Sequence, residues 1–174
     1  MAAIRRLIDP AGFNLGQRHI TLSTVGIVPG IEKLAREGLQ ITLAVSLHAA
    51  TDALRDQLIP INRRYGLDAL FEACYRYVER AGRRVSFEWA LVAGVNDTPE
   101  QAEALSARLT GFLAHVNLIP LNPTQGYSGR PSSQAAIDAF TNILERHRIP
   151  YTIRARRGVE IQAACGQLRR RQAR

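Results

Sequence analysis

The sequence predicts an α/β fold built on parallel strands, and three observations carry that reading. Short β-branched or apolar runs alternate along the chain with longer stretches of helical periodicity, the order that parallel crossovers require. Turn formers and capping residues fall between these runs. The strand-like runs end in polar residues, with Ser23-Thr24 closing the first, Ser46-Leu47-His48 the second, and Asn122 following the fourth.

Each element has its own signal. Ala2 to Ile8 reads as a short helix, and Asp9-Pro10-Ala11-Gly12-Phe13-Asn14 as a loop rich in turn formers. Ile20-Thr21-Leu22-Ser23-Thr24 alternates and is β-branched, which predicts a first strand. A helix over about Pro29 to Glu37 ends at Gly38, the residue type that accepts the left-handed position after a helix. Ile41 to Leu47 is a second strand, and its continuous apolar character predicts cover on both faces. Leu67, Leu70, Phe71, Cys74 and Val78 recur at helical spacing up to Gly82, so Cys74 is expected to be a structural thiol on a buried face.

Val85 to Leu91 predicts a third strand. Thr98-Pro99-Glu100-Gln101 combines an N-cap, a first-turn proline and a glutamine in the capping-box position, with Leu105, Leu109 and Phe112 as the apolar face behind it. Val116 to Leu121 is a fourth strand. A loop with Asn122, Pro123, Gly126, Gly129 and Pro131 follows, and Ser132 or Ser133 caps a helix that turns Ile137, Phe140 and Leu144 inward. Tyr151-Thr152-Ile153-Arg154 is a last strand. With 174 residues, 46% of them hydrophobic, and no repeat or linker, residues 1–174 are expected to form one unit around one core.

The formal net charge is +8, and Lys33 is the sole lysine. From Arg146 to Arg174 there are nine arginines against one acid, Glu160, which points to a polyanion partner, most simply nucleic acid. Cys74 and Cys165 have no C-x-x-C partner, so neither a disulfide framework nor a zinc site is expected, and a reducing, cytoplasmic setting fits. No run reaches membrane-spanning length, and the first residues lack signal-peptide features, so no membrane association is expected.

In parallel α/β folds functional groups gather at the carboxyl ends of the strands, where the polar residues above cluster. His48 reads either as a general base or as a positioning residue. Cys165 sits in Ala163-Ala164-Cys165-Gly166-Gln167-Leu168, where small neighbours and nearby arginines suit a reactive thiolate and equally permit a packed one. Dinucleotide, phosphate-loop, Gly-x-Ser-x-Gly and His-Glu-x-x-His motifs are absent.

One set of motifs in order is specific. Arg18 to Gly26, Val45-Ser46-Leu47-His48-Ala49, Val95-Asn96-Asp97, Asn117 to Pro123, Arg157-Gly158 and the Cys165 hexapeptide resemble the radical-SAM adenine-C2 methyltransferases of ribosomal RNA. The resemblance implies a partial (β/α) barrel of the radical-SAM type, truncated at the amino-terminal side. It implies S-adenosyl-L-methionine (SAM) and a [4Fe-4S] cluster as cofactors, with Ser23, Ser46, Leu47, His48 and Asn122 at SAM-contacting positions. It makes Cys165 the catalytic residue that carries the methyl group to an adenine of 23S rRNA or, in some members, of tRNA.

The cluster motif C-x-x-x-C-x-x-C is absent, as are the resolving cysteine, the general-base glutamate and the Gly-Met-Gly-Glu-Pro stretch of such enzymes. Val159 and Gln162 stand where acidic residues are common. The chain is therefore expected to be a carboxy-terminal half, ending in a basic tail over 154–174, whose partner is the missing amino-terminal half and which is inactive alone. A split-enzyme half, a non-catalytic RNA-binding module and the adenine-C8 branch are the alternatives.

Overall fold

The computed structural model describes residues 1–122 and 129–154. Five strands, β1 (Thr21–Thr24), β2 (Thr42–Ser46), β3 (Val85–Leu91), β4 (Ala114–Pro120) and β5 (Tyr151–Ile153), form a parallel sheet in sequential order. The helices are α1 (Ala2–Ile8), α2 (Val28–Arg36), α3 (Asp52–Leu58), α4 (Leu67–Ala81), α5 (Pro99–Leu109) and α6 (Gln134–Arg146). Sequential parallel order winds the crossover helices onto a single face, as in a barrel wall and unlike a doubly wound sheet. The α/β class and the partial barrel expected from the sequence are what the fold shows.

The two faces of the sheet follow from the alternation in β3. Val85, Phe87, Trp89 and Leu91 are fully buried beneath the helices, while Ser86, Glu88 and Ala90 point the other way and remain half-exposed. The covered face joins Leu43, Val45, Val116 and Leu118 to the inner sides of α4, α5 and α6 in one core. Phe71 of α4 stacks on Phe87 at 5.2 Å, and Phe140 of α6 lies 5.6 Å from Trp89. Cys74 is fully buried there, and burial pushes its thiol up to about 12, so it is the inert packing residue the helical spacing predicts.

The opposite face is polar. Ser46, Glu88, Asn117 and Thr152 are paired across β2 to β5 in one cross-sheet row. Glu88 accepts from Ser86 Oγ at 2.9 Å and from Asn117 Nδ2 at 2.7 Å, and His115 Nε2 meets Thr152 Oγ1 at 2.9 Å. This corrects the expectation that β2 is covered on both faces. Its apolar look comes from Ala44, a small residue that is buried on the polar side, while Thr42 and Ser46 on that side stay half-exposed.

Punctuation by glycine and serine is as the sequence predicts, with local differences. Gly38 and Gly82 take φ of 63° and 60° after α2 and α4, and Thr98 Oγ1 accepts from Gln101 N–H at the start of α5. Gln101 does not close a capping box. Its Oε1 accepts from Ala50 N–H at 3.0 Å, because that amide offers a tertiary partner. Ser133, not Ser132, caps α6, accepting from Ala136 N–H. Helix α3 and the 3-10 turn Pro60–Arg63 lie in a segment to which the sequence reading assigned no element. Strand edges differ from expectation by up to two residues.

Candidate active site at the carboxyl ends of the strands

The turn leaving β2 carries three of the predicted site residues, and buried groups fix its shape. Arg55 of α3 is 0% exposed and donates four hydrogen bonds. Nε reaches Leu47 O at 3.1 Å, Nη2 reaches Ser46 O at 3.1 Å and Val25 O at 2.8 Å, and Nη1 reaches Asn62 Oδ1 at 2.8 Å. Burial lowers its pKa, and the nearby Asp52 and Asp56 carboxylates oppose that shift. One guanidinium thus ties the end of β1 to the end of β2. The close approach depends on Gly26, at φ 103°, where a Cβ would lie 3.1 Å from Arg55 Nη2 and 3.3 Å from Leu70 Cδ2.

His48 follows in a left-handed conformation, φ 57°, uncommon for a residue with a Cβ. Ala90 N–H donates to its Nδ1 at 2.9 Å. Asn96, fully buried, donates through Nδ2 to His48 O and to Ala90 O, each at 2.8 Å, and accepts at Oδ1 from Val92 N–H at 2.8 Å. Ala50 is held at both ends, its N–H by Gln101 and its carbonyl by Arg108 Nε at 3.1 Å. Backbone and ring are thereby fixed from β3, α3 and α5 together.

The chemical consequence concerns the tautomer. With Nδ1 occupied as an acceptor, the neutral ring carries its proton at Nε2, which is a donor. Burial, with the Arg55 charge adding to it, lowers the imidazole pKa to about 4. At neutral pH the His48 ring is therefore uncharged with a donor at Nε2, an arrangement that suits the positioning role.

The remaining predicted residues are placed as follows. Ser23 on β1 is exposed and, by the pleat, shares the open polar face with Ser46, since Ser23 pairs with Ala44 two residues before it. Leu47 has its side chain in the core and its amide and carbonyl bonded to Glu88 O and Arg55, so it contributes a fixed backbone. Asn122 follows β4, half-buried, at the same end of the sheet. Cys165 and most of the basic tail lie outside the described residues.

Arg55, Asn96 and Arg108 are site-shaping residues that the sequence did not mark. Asn96 and Asp97 stand in the sequence only as members of the Val95-Asn96-Asp97 motif. Asp97 accepts from Gly94 N–H, shaping the same turn. Nothing local distinguishes Arg55 from the many other arginines.

SAM offers hydroxyl, carboxylate and adenine acceptors, and the free Nε2–H of His48 with the hydroxyls of Ser23 and Ser46 fit such a ligand. A [4Fe-4S] cluster does not fit this chain. Two cysteines cannot supply three thiolates, Cys74 is sealed in the core, and no group of three metal-ligating side chains occurs among the described residues. No helix among the described residues is long and apolar enough to cross a membrane.

A wall of parallel βα units with a fixed polar site at the strand ends is the architecture of the radical-SAM methyltransferase barrel. The chain is 52% identical to a radical SAM methyltransferase from Sphaerobacter thermophilus of known structure, with a TM-score of 0.89 over 94% of this chain and 48% of that one. A domain of a pyruvate-formate lyase-activating enzyme from Bacteroides vulgatus shares the fold, with a TM-score of 0.60 at 13% identity. No protein-family model matches.

Sequence relatives narrow the class. Over 97% of its length the chain is 53% identical to the dual-specificity RNA methyltransferase RlmN 1 of Myxococcus xanthus, and 56% identical to a probable dual-specificity RNA methyltransferase RlmN of Desulforudis audaxviator. It covers 47% and 53% of those proteins, so it spans about half the length of the curated relatives it matches. Over the portion it spans, the chain is similar to RlmN dual-specificity RNA methyltransferases and to a radical SAM methyltransferase.

Proposed function

We propose that this chain is the carboxy-terminal portion of a cytoplasmic RNA methyltransferase that modifies adenine C2 in 23S rRNA and in tRNA. Ser23, Ser46, His48 and Asn122 contact SAM, and Leu47 holds the backbone between two of them. Cys165 carries the methyl group. The observation that carries the reading is the clamped turn after β2, which fixes His48 with an uncharged Nε2–H donor next to Ser46, while Ser23 of β1 shares the sheet face of Ser46. A turn so fully tied needs no ordering when a ligand arrives, which conserves binding free energy.

SAM with the cluster supplies radical chemistry when bound. This chain's own residues bind and orient. Arg55 and Asn96 hold the turn, His48 Nε2–H donates to an acceptor of the ligand, and the helix-covered face gives the turn a rigid base. The cluster's ligands would come from a segment outside these residues, and the chain alone is expected to be inactive.

The experiment is titration of the chain with SAM by calorimetry, comparing wild type with Ser46→Ala and His48→Asn. Binding that each substitution weakens by about tenfold, the scale of one hydrogen bond to a polar ligand, is expected. Binding indifferent to both refutes the assigned contacts. RNA binding without any SAM binding supports instead a non-catalytic RNA-binding module.

A further inference from the structure

The SAM-site reading leaves one segment of the same face unused. Between α3 and α4 the 3-10 turn Pro60–Arg63 is followed by Arg64 and Tyr65, and both arginines are exposed. Buried bonds fix the turn at the carboxyl ends of the strands. Asn62 accepts from Arg55 and donates through Nδ2 to Asp52 Oδ1 at 2.8 Å and Asp56 Oδ1 at 2.7 Å. Leu67 N–H donates to Asp52 Oδ1 at 2.8 Å, locking the start of α4 beside α3. The arginine pair therefore adjoins a side chain bonded to Arg55, which shapes the candidate SAM site.

Its charge is available. Elsewhere Arg5, Arg76, Arg108 and Arg146 are each paired with a carboxylate. Asp68, the acid nearest in sequence, pairs with Arg108, Asp52 and Asp56 face Asn62 and the Leu67 amide, and neither Arg63 nor Arg64 makes an ion pair among the described residues. The Arg64 guanidinium lies 5.3 Å from the centre of the Tyr65 ring, a cation–π contact that orients the fork without using its donors.

We propose that Arg63, Arg64 and Tyr65 form an RNA-docking platform on the catalytic face, with the two guanidiniums on backbone phosphates flanking the target nucleotide. This rests on the reading of the chain as part of an RNA methyltransferase. Arginine's planar fork matches phosphate oxygens in pairs, and a mount already rigid loses little conformational freedom on binding. The ring beside them offers a base a stacking surface.

The test is fluorescence anisotropy of a labelled single-stranded oligoribonucleotide with the full chain across a salt series. R63Q/R64Q removes two phosphate contacts, which lowers the slope of log K against log salt by about 1.4. Affinity at low salt falls about tenfold. The control R80Q/R84Q makes the same charge change at the opposite end of the sheet, where α4 ends and β3 begins, and it shifts affinity less than twofold. R63K/R64K keeps most of the slope.

Equal losses in both double variants, no loss in R63Q/R64Q, or no RNA binding by the wild-type chain overturns the proposal. So does displacement of the RNA by inorganic phosphate beyond its effect on ionic strength, which marks a free-phosphate site, or tighter binding of an acidic peptide than of RNA. SAM binding lost while RNA binding still depends on Arg63 and Arg64 refutes the active-site reading and not the platform.

Discussion

The two faces of the sheet are built on opposite principles, and the difference separates stability from function. The covered face is apolar and close-packed around Trp89, Phe87 and Phe140. The open face and its carboxyl-end turns are polar, and their order comes from hydrogen bonds that converge from distant segments on Ser46 to Ala50. Apolar packing holds a shape whatever lies outside it. A hydrogen-bonded turn holds particular donors in place for something to meet.

Substitutions scaled from one face to the other break or sharpen that contrast. Trp89→Ala on the covered face is the largest, with an expected loss of about 4 kcal/mol in urea denaturation from the cavity it leaves. A loss below about 1 kcal/mol, comparable to an open-face substitution, would erase the distinction.

Acid comes next. His48 in the unfolded chain titrates near its ordinary value of about 6.5, and in the fold at about 4, so between these values the unfolded state binds the extra proton. The stability this gives is complete above pH about 6.5 and is lost as pH falls toward 4, by roughly 3 kcal/mol at the lower end. His115, whose pKa burial also lowers, adds to the loss in the same direction. His48→Asn, which tolerates a left-handed backbone, is expected to show a shallower decline. Identical pH profiles for the two proteins contradict the assignment.

Asn96→Ala follows, at about 2 kcal/mol, since it strands the carbonyls of His48 and Ala90 and the Val92 amide. Its informative readout is the nitrogen NMR of the His48 ring. Wild type shows one tautomer with the proton on Nε2, and the variant shows a mixture. An unchanged tautomer leaves Asn96 with a packing role only. Glu88→Ala is the smallest, below about 1 kcal/mol, because Ser86 and Asn117 on the open face turn to water in its absence.

The same contrast explains how much was legible in the sequence. The covered face announces itself locally, by alternation in β3, by the Leu67 to Val78 spacing in α4, and by Gly38 and Gly82 at helix ends. The polar strand ends at Ser23, Ser46 and His48 were visible too. What holds them was not, because Arg55, Asn96, Gln101 and Arg108 reach Leu47, His48 and Ala50 across eight to 58 residues, beyond any local pattern. Gln101 shows this well, since its spacing from Thr98 suits a capping box and its side chain serves Ala50 instead. Helix α3 escaped because seven residues with apolar positions only at Ala53, Leu54 and Leu58 give no periodicity to read.

The central claim is that this chain holds the SAM contacts and the methyl-carrying Cys165 of an RNA methyltransferase whose cluster ligands lie in another segment. Mass spectrometry of RNA treated with SAM and reductant tests it, using the chain alone, the chain fused to the amino-terminal half of the Myxococcus xanthus relative, and the fusion with Cys165→Ala. The account predicts 2-methyladenosine from the fusion alone. Methylation by the isolated chain, methylation by the Cys165→Ala fusion, or an 8-methyl product would contradict it.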